Sequence, residues 1–281
     1  MCEDRHMEQP GNFYRENPKP TPEERLFNAF RDNNTEEIGT LREEYETAYK
    51  EQLEGITAIF DFAPFLENRK KLEDPNLKTD EKKEAILGCT EYQYLLTHFV
   101  EANTMNDKFL ARFWETIEGL AKAMGQSKSA LPLRHGILSQ VATYKILKAV
   151  GKEPDFSMPK DDAFNAIDLW ASKDEAVQVK GAPYSTASIV ETDDLSFPST
   201  AVSVEGKTEY YSGFLFDNVQ KFRAKVSKYS KVVGHDVKGY LVVVPYGEFD
   251  PVTGEPTDKI VEMVRESLSK HEPPSVLKEA A

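Results

Sequence analysis

Residues 165–181 read NAIDLWASKDEAVQVKG, and the pattern of this stretch decides the predicted fold. Apolar residues occupy every second position over 167–171, and Val177 and Val179 repeat that spacing further along. The polar residues 172–175 separate the two runs. Period-two alternation in two short runs is typical of paired, half-buried strands. The stretch therefore predicts a β-hairpin.

The register of this hairpin decides which polar side chains lie opposite each other. A three-residue loop over 172–174 pairs Ala171 with Glu175 and places Asp168 opposite Gln178. A slip of one residue would move Asp168 to the other face of the sheet. A polar site shared by the two strands therefore forms only in the register that places Asp168 on the same face as Gln178.

In the first of these registers, Asp168, Gln178 and Lys180 converge on one face, because Gln178 and Lys180 are alternate residues of one strand. Carboxylate and amide oxygens suit a hard cation such as Mg²⁺. A neighbouring ammonium group orients an attacking water or neutralises charge on a phosphate. The alternative interpretation is an exposed hairpin whose polar residues are solvated.

The aspartate on one strand and Gln178-Val179-Lys180 on the next resemble the PD-(D/E)XK nuclease superfamily. The Gln form, followed by Gly181, is most similar to the Mrr-like restriction endonuclease branch. That branch has an amphipathic helix just upstream with a glycine at its end, and residues 139–151 fit this description. The resemblance covers residues 131–246, under half of the chain.

The resemblance implies an α+β or α/β fold with a restriction-endonuclease-like mixed sheet flanked by helices. It also implies metal-dependent hydrolysis of a DNA phosphodiester, in restriction, defence or repair. Mg²⁺ or Mn²⁺ would be held by Asp168, the side-chain oxygen of Gln178 and the backbone carbonyl of Val179. Lys180 would lie beside the attacking water. Gln140 occupies the place of the family's helical Glu, and a solvated helix face stays open as the alternative.

The sequence departs from the family in its number of acids, because Asp168 is the one clear carboxylate of the expected site. Asp161 or Asp162 could supply a second carboxylate, although the polar stretch 152–164 predicts a loop in which both are solvated. With one acid, metal affinity would be weak and substrate phosphate would have to supply ligands. His135, on the upstream helix, is expected to be structural.

A basic stripe is predicted on a later helix over 216–233. Lys221, Lys225 and Lys228 follow each other at helical spacing, and 221–231 contains five basic residues and no acidic one. Such a basic surface would contact the phosphates of a nucleic-acid backbone. A solvated helix face is the alternative, because most charge runs are solvated.

The sequence divides into four predicted segments. These are a flexible arm over 1–20, an α-helical domain over 21–128, a nuclease-like domain over 129–270 and a loose tail over 271–281. Glycine and polar residues over 125–130 predict a linker. The second domain is expected to run helix, strand, strand, strand, helix, strand, with an irregular stretch over 182–198, a hairpin of 199–204 with 208–211 and a buried strand over 238–245.

Composition limits the classes of function. The formal net charge of -13 argues against a nonspecific nucleic-acid coat protein, but it permits a local basic groove. Cys2 and Cys89 are far apart and form no disulfide framework or metal pair. The chain has no apolar run of membrane-spanning length and no signal-like start, so a cytoplasmic protein without a membrane partner is expected.

Partners and rival functions stay open at this point. DNA is the expected substrate, with RNA as an alternative, and a homodimer is also considered. One rival is a nuclease-fold protein without catalysis that binds nucleic acid or protein. Another is a helical interaction module, fused to the nuclease-like part, that binds a protein partner within a defence or repair complex.

Overall fold

The computed structural model describes residues 20–183, 188–191 and 208–269. The helices are α1 (Pro22–Arg31), α2 (Thr35–Ala48), α3 (Leu53–Phe60), α4 (Phe62–Leu72), α5 (Thr79–Ala102), α6 (Asp107–Ala123), α7 (Ser127–Ala149), α8 (Pro159–Asn165), α9 (Thr208–Val233) and α10 (Asp258–Ser269), with a 3₁₀ turn at Lys50–Gln52. The strands are β1 (Asp155–Phe156), β2 (Leu169–Ser172), β3 (Glu175–Ala182), β4 (Ser188–Glu191) and β5 (Lys238–Pro245).

The start of α1 shows how local sequence sets a helix boundary. The Thr21 hydroxyl accepts a hydrogen bond from the Glu24 N–H at 3.1 Å, and the Glu24 carboxylate accepts one from the Thr21 N–H at 2.8 Å. Pro22 occupies the first helical position, where its missing N–H costs nothing. This reciprocal cap confirms the helix start predicted from sequence.

The strands form a mixed sheet in the order β1-β2-β3-β5-β4. β3 and β5 run parallel in its interior, and the other neighbouring pairs are antiparallel. β5 is the buried apolar strand expected over 238–245, with its residues from Leu241 to Pro245 buried. Helix α7 packs on one face of the sheet and α9 on the other. The predicted mixture of helices around a mixed sheet is confirmed.

Several predicted elements are wrong in position. α7 begins at Ser127, inside the stretch expected to be a linker. The expected loop over 152–164 contains β1 and α8, because Pro159 and two acids in the first turn are a helix start. The stretch expected to be irregular contains β4, and 208–211 belongs to α9.

Other predictions fall outside the described residues. The expected strand over 199–204, the tail over 271–281 and residues 1–19 of the expected arm lie in those segments. In the described part of the chain, every helix is too short or too polar to cross a bilayer.

One hydrophobic core runs across the predicted boundary at residue 128. Phe99 and Trp114 of the helical half belong to the same buried cluster as Val141 of α7 and Val177 of β3. The Trp114 indole N–H also donates to the backbone oxygen of Val252 at 3.1 Å. The helical half therefore packs directly against the sheet half.

Candidate functional site

The predicted hairpin is confirmed as β2 and β3. Leu169 pairs with Val177 in the expected register, but Glu175 pairs with Ser172 and not with Ala171. The register shifts between Trp170 and Ser172, so the strand carries one extra residue and the connecting turn is shorter than predicted. The expected register holds at Leu169 and Trp170, but the ladder ends there: the Asp168 N–H donates to the Val177 carbonyl, and Asp168 is not paired with Gln178 as predicted.

Asp168 lies just before the first residue of β2, where its backbone still bonds to the sheet. Its N–H donates to the Val177 carbonyl at 2.9 Å, and its own carbonyl accepts from Ser157 at 3.1 Å. Its carboxylate Oδ2 accepts a hydrogen bond from the backbone N–H of Val179 at 2.6 Å. The Asp168 carboxylate thus bonds to the Val179 N–H, to which the backbone of a neighbouring strand would otherwise bond. This hydrogen bond holds the carboxylate at the edge of β3.

Gln140 reaches the same carboxylate from α7. Its Nε2 lies 3.4 Å from Asp168 Oδ1, and its Oε1 lies 3.1 Å from the hydroxyl of Thr97 on α5. Gln140 is therefore directed toward the sheet, and its neighbours are other polar side chains. The expectation that Gln140 lies near Asp168 agrees with this geometry.

Asp162 is one of two acids for which the sequence favours a solvated loop, with a second carboxylate at the site as the alternative. It lies on α8, which packs between α5 and α9, and its carboxyl group hydrogen-bonds that of Asp168. The chain turns from α8 into Asp168 through Ala166, whose φ of 55° is in the left-handed region. Proline at the helix start, followed by paired acids, was the available sequence signal for α8.

The carboxyl groups of Asp162 and Asp168 are close together and partly buried, so ionising both at once is unfavourable. Burial, the charge of Asp168 and the hydrogen bond to Asp168 raise the pKa of Asp162 to about 8, against the opposing effects of Lys180 and Lys225. Burial also raises the pKa of Asp168, although Lys180, the Val179 N–H and Asp162 work against that rise. Two carboxyl groups this close favour sharing a proton over ionising together.

Gln178 and Lys180 lie on the face of the sheet that α9 covers. Ala176 and Ala182, at alternate positions of the same strand, pack against apolar residues of α9. Gln178 is 8% exposed, and Lys180 is partly exposed and close enough to the acid pair to lower the pKa of both acids. Lys180 is thus near enough to the acids to interact with their charges, and its role at the site stays a prediction.

A small cavity lies between these elements. It has a volume of about 10 Å³ and is lined by Thr97, Gln140, Asp162 and Asp168, together with Tyr94, Phe156, Ser157 and Pro159. That volume is about the minimum for one water molecule. The polar side chains therefore surround a space of the size of a single water or a single cation.

Gly181 permits the close approach of α7 that brings Gln140 to the sheet. A methyl group at Gly181 would overlap the hydroxyl of Ser139 and the ring of Tyr246. The Tyr246 ring lies 4.1 Å from that of His135, so His135 packs against the residue that follows β5. The glycine after Gln178-Val179-Lys180 therefore has a packing role.

The predicted basic stripe lies on α9. Lys221, Lys225 and Lys228 are exposed, and Lys225 is near enough to lower the pKa of both site acids. None of the three forms an ion pair with another residue of the described ranges. Their role in binding nucleic acid stays a prediction, as does the role of the Val179 carbonyl.

Within the described ranges, no group of three or more His, Cys, Asp or Glu side chains is arranged to hold a metal ion. The acid pair of Asp162 and Asp168 would therefore need amide or substrate oxygens to complete a metal site. Comparison with protein-family models, curated proteins and solved structures gives no match for this chain.

Proposed function

We propose that the protein is a divalent-metal-dependent nuclease that hydrolyses phosphodiester bonds of DNA. The observation that carries this proposal is the hydrogen-bonded pair of Asp162 and Asp168, which lines a water-sized cavity and is close enough to Lys180 for that lysine to lower the pKa of both acids. Two carboxylates can hold a divalent cation, and a nearby amine can stabilise the negative charge of a phosphate. The resemblance of Asp168 and Gln178-Val179-Lys180 to the nuclease motif supports the same reaction.

The residues at the cavity fit a hard divalent cation. Asp162 and Asp168 offer carboxylate oxygens, Gln140 offers an amide, and Gln178 is buried on the adjacent strand. Because two close carboxylates cannot both ionise at low cost, they retain a proton, and a cation in the same space would supply the positive charge instead. Bound Mg²⁺ or Mn²⁺ would act as a Lewis acid on the scissile phosphate.

Lys180 is proposed to act on the phosphate and the attacking water. Its ammonium group is near the acid pair and partly exposed, so it can contact a phosphate held there. A fixed positive charge at this point stabilises the negative charge that develops on the phosphate in the transition state. Asp168, fixed by the Val179 N–H, holds its position as the phosphate binds.

The basic stripe of α9 is proposed to bind the nucleic-acid backbone. Lys225 links the stripe to the site electrostatically, and Lys221 and Lys228 extend it along the exposed side of the same helix. Phosphate contacts of this kind position a duplex without reading its sequence. The local charge of α9 would attract DNA in spite of the net charge of -13.

Cleavage of supercoiled plasmid DNA tests the proposal. Wild type should nick or linearise plasmid with Mg²⁺ or Mn²⁺ and not with EDTA. Asp168→Ala and Lys180→Ala should each lower the cleavage rate by about 100-fold or more, since each removes a ligand or a charge at the reacting phosphate. Asp155→Asn and Lys173→Ala are matched controls, because both side chains are exposed.

The outcome is decided by the contrast between site and control variants. Equal cleavage by wild type, Asp168→Ala and Lys180→Ala would refute the assignment. Cleavage that survives in EDTA would refute the role of the metal. Oligonucleotides of DNA and RNA, single- and double-stranded, would then define the substrate.

A binding protein without catalysis is the second candidate. It is favoured by the net charge of -13 and by the presence of two acids, and not three, at the site in the described residues. Electrophoretic mobility shifts distinguish the two candidates. Retention of DNA that is equal in Mg²⁺ and EDTA, with no cleavage in either, would select the binding protein. A protein partner for the helical half and a homodimer stay predictions.

A further inference from the structure

Thr97 connects the helical half of the chain to the site. It lies on α5, its side chain is 1% exposed, and its hydroxyl oxygen is 3.1 Å from Gln140 Oε1. The same hydroxyl is 2.8 Å from the backbone carbonyl of Gln93, one helical turn earlier. Gln140 then extends toward Asp168 Oδ1 at 3.4 Å. Thr97, Gln140 and Asp168 therefore form a chain of polar contacts that ends at the cavity.

The number of protons on Thr97 limits what this chain can do. A threonine hydroxyl carries one proton and accepts with its lone pairs. Here it faces two carbonyl oxygens, those of Gln93 and Gln140, so it can donate fully to one of them at a time. If the Thr97 hydroxyl donates to the Gln93 carbonyl, its lone pairs are left to accept a hydrogen bond. The Gln140 amide can supply that bond by turning its N–H toward Thr97. The amide oxygen of Gln140 then points toward Asp168.

Each orientation of the Gln140 amide suits a different occupant of the cavity. With its nitrogen toward Asp168, the amide donates to a carboxylate oxygen, as it does at 3.4 Å. With its oxygen toward Asp168, the amide would repel a bare carboxylate but would bind a cation between them. The Thr97 hydroxyl serves both orientations, because it can donate to the amide oxygen or accept from the amide nitrogen.

We propose that Thr97 is a positioning residue that lets Gln140 present its amide nitrogen to Asp168 without a cation and its amide oxygen when a divalent cation binds. This inference rests on the proposed function, because it assumes that the cavity of Gln140 and Asp168 takes a metal ion. It adds that a residue of the helical half tunes metal binding. Groups that orient the ligands of a metal commonly change its affinity by 10- to 100-fold.

Binding of Mn²⁺ to the full chain, measured by electron paramagnetic resonance without nucleic acid, tests this proposal. Thr97→Val removes the hydroxyl with little change in shape and should weaken Mn²⁺ binding about tenfold. Thr97→Ser keeps the hydroxyl and should stay within about twofold of wild type. Thr90→Val is the matched control, since Thr90 lies on α5, is 8% exposed and bonds to carbonyls of its own helix.

A double-mutant cycle shows whether Thr97 acts through Gln140. In a Gln140→Leu background, Thr97→Val should cause no further loss of Mn²⁺ affinity. The proposal is overturned if Thr97→Val binds Mn²⁺ as wild type does, if its effect persists in full with Gln140→Leu, or if wild type binds no Mn²⁺. If Thr97→Val does not fold, agreement of Thr97→Ser with wild type and a tenfold loss in Gln140→Leu support it, and any other result overturns it.

The two proposals fail separately. A protein that binds Mn²⁺ in a Thr97-dependent way but does not cleave DNA refutes the nuclease and leaves the positioning role of Thr97. A protein that cleaves DNA while Thr97→Val retains wild-type Mn²⁺ affinity keeps the nuclease and refutes the positioning role.

Discussion

The carboxylate of Asp168 accepts a hydrogen bond from the backbone N–H of Val179 at 2.6 Å. This contact joins a residue just before β2 to the middle of β3, where a strand neighbour would otherwise bond. A carboxylate that satisfies a backbone donor is held in one orientation and keeps its second oxygen available. That second oxygen is the one that lies near Gln140.

Asp162 should make stability depend on pH. Its pKa is about 8 in the folded chain and 3.8 as the ordinary value, so the folded state keeps a proton that the unfolded state releases. The stabilisation is full below about pH 4 and is lost as the pH rises to about 8. Asp162→Asn should therefore be more stable than wild type at pH 8.5, by about 1–3 kcal/mol after allowance for partial exposure.

Thermal unfolding at pH 5, 7 and 8.5 checks this expectation. The melting temperature of wild type should fall across the series more steeply than that of Asp162→Asn. Asp161→Asn, one residue earlier on α8, should keep the wild-type slope. Parallel curves for wild type and Asp162→Asn would contradict the shared proton.

The basic stripe of α9 should control the salt dependence of DNA binding. Replacing Lys221, Lys225 and Lys228 together by alanine should lower the slope of log affinity against log salt by about two to three, because each lost phosphate contact contributes about 0.9. Fluorescence anisotropy over a salt series measures the slope. Alanine at the exposed lysines 70, 71 and 82 of the helical half is the control, and an equal change there would contradict a specific role for α9.

Gly181 should be intolerant of any side chain. Gly181→Ala places a methyl group against Ser139 and Tyr246, so these side chains or α7 itself must shift, at a cost of about 1–3 kcal/mol. Gly136→Ala, on α7 with open space around it, should instead be neutral or stabilising by about 0.5–1 kcal/mol. Urea denaturation measures both. Similar stabilities for the two variants would mean that helix approach does not depend on Gly181.

Ala166 should carry backbone strain at the entrance to the site. Its φ of 55° is costly for a residue with a side chain, and glycine adopts it freely. Ala166→Gly should raise the free energy of unfolding by about 0.5 kcal/mol, whereas Ala166→Val should lower it by about 1–2 kcal/mol. Chemical denaturation of both variants tests the order, and a valine variant as stable as the glycine variant would contradict it.

Local patterns predicted the elements that depend on few residues. The hairpin of β2 and β3 and the strand β5 follow from periodic burial, and the start of α1 follows from its capping residues. α8 could not be predicted in the same way, because seven residues show too little helical periodicity. The burial of Asp162 depends on α5 and α9, which are distant in sequence.

The candidate site was predicted where it is built from one short stretch. Asp168 and Lys180 lie within the hairpin, so strand alternation was enough to place them near each other. Thr97 gave no signal, because it is 43 residues from Gln140 and its contact arises only when α5 packs on α7. Long-range packing of helices against the sheet therefore supplies what a local pattern cannot.

The continuous core across residue 128 has a consequence for the natural history of the chain. A protein fragment of residues 129–270 alone would expose the apolar side chains that pack against Phe99 and Trp114, and this exposed surface would promote aggregation. Separation of the halves at that point should expose apolar surface on both of them, so we expect the halves to be inherited together. Changes that alter the volume of Trp114 should favour compensating changes on α7 in later generations.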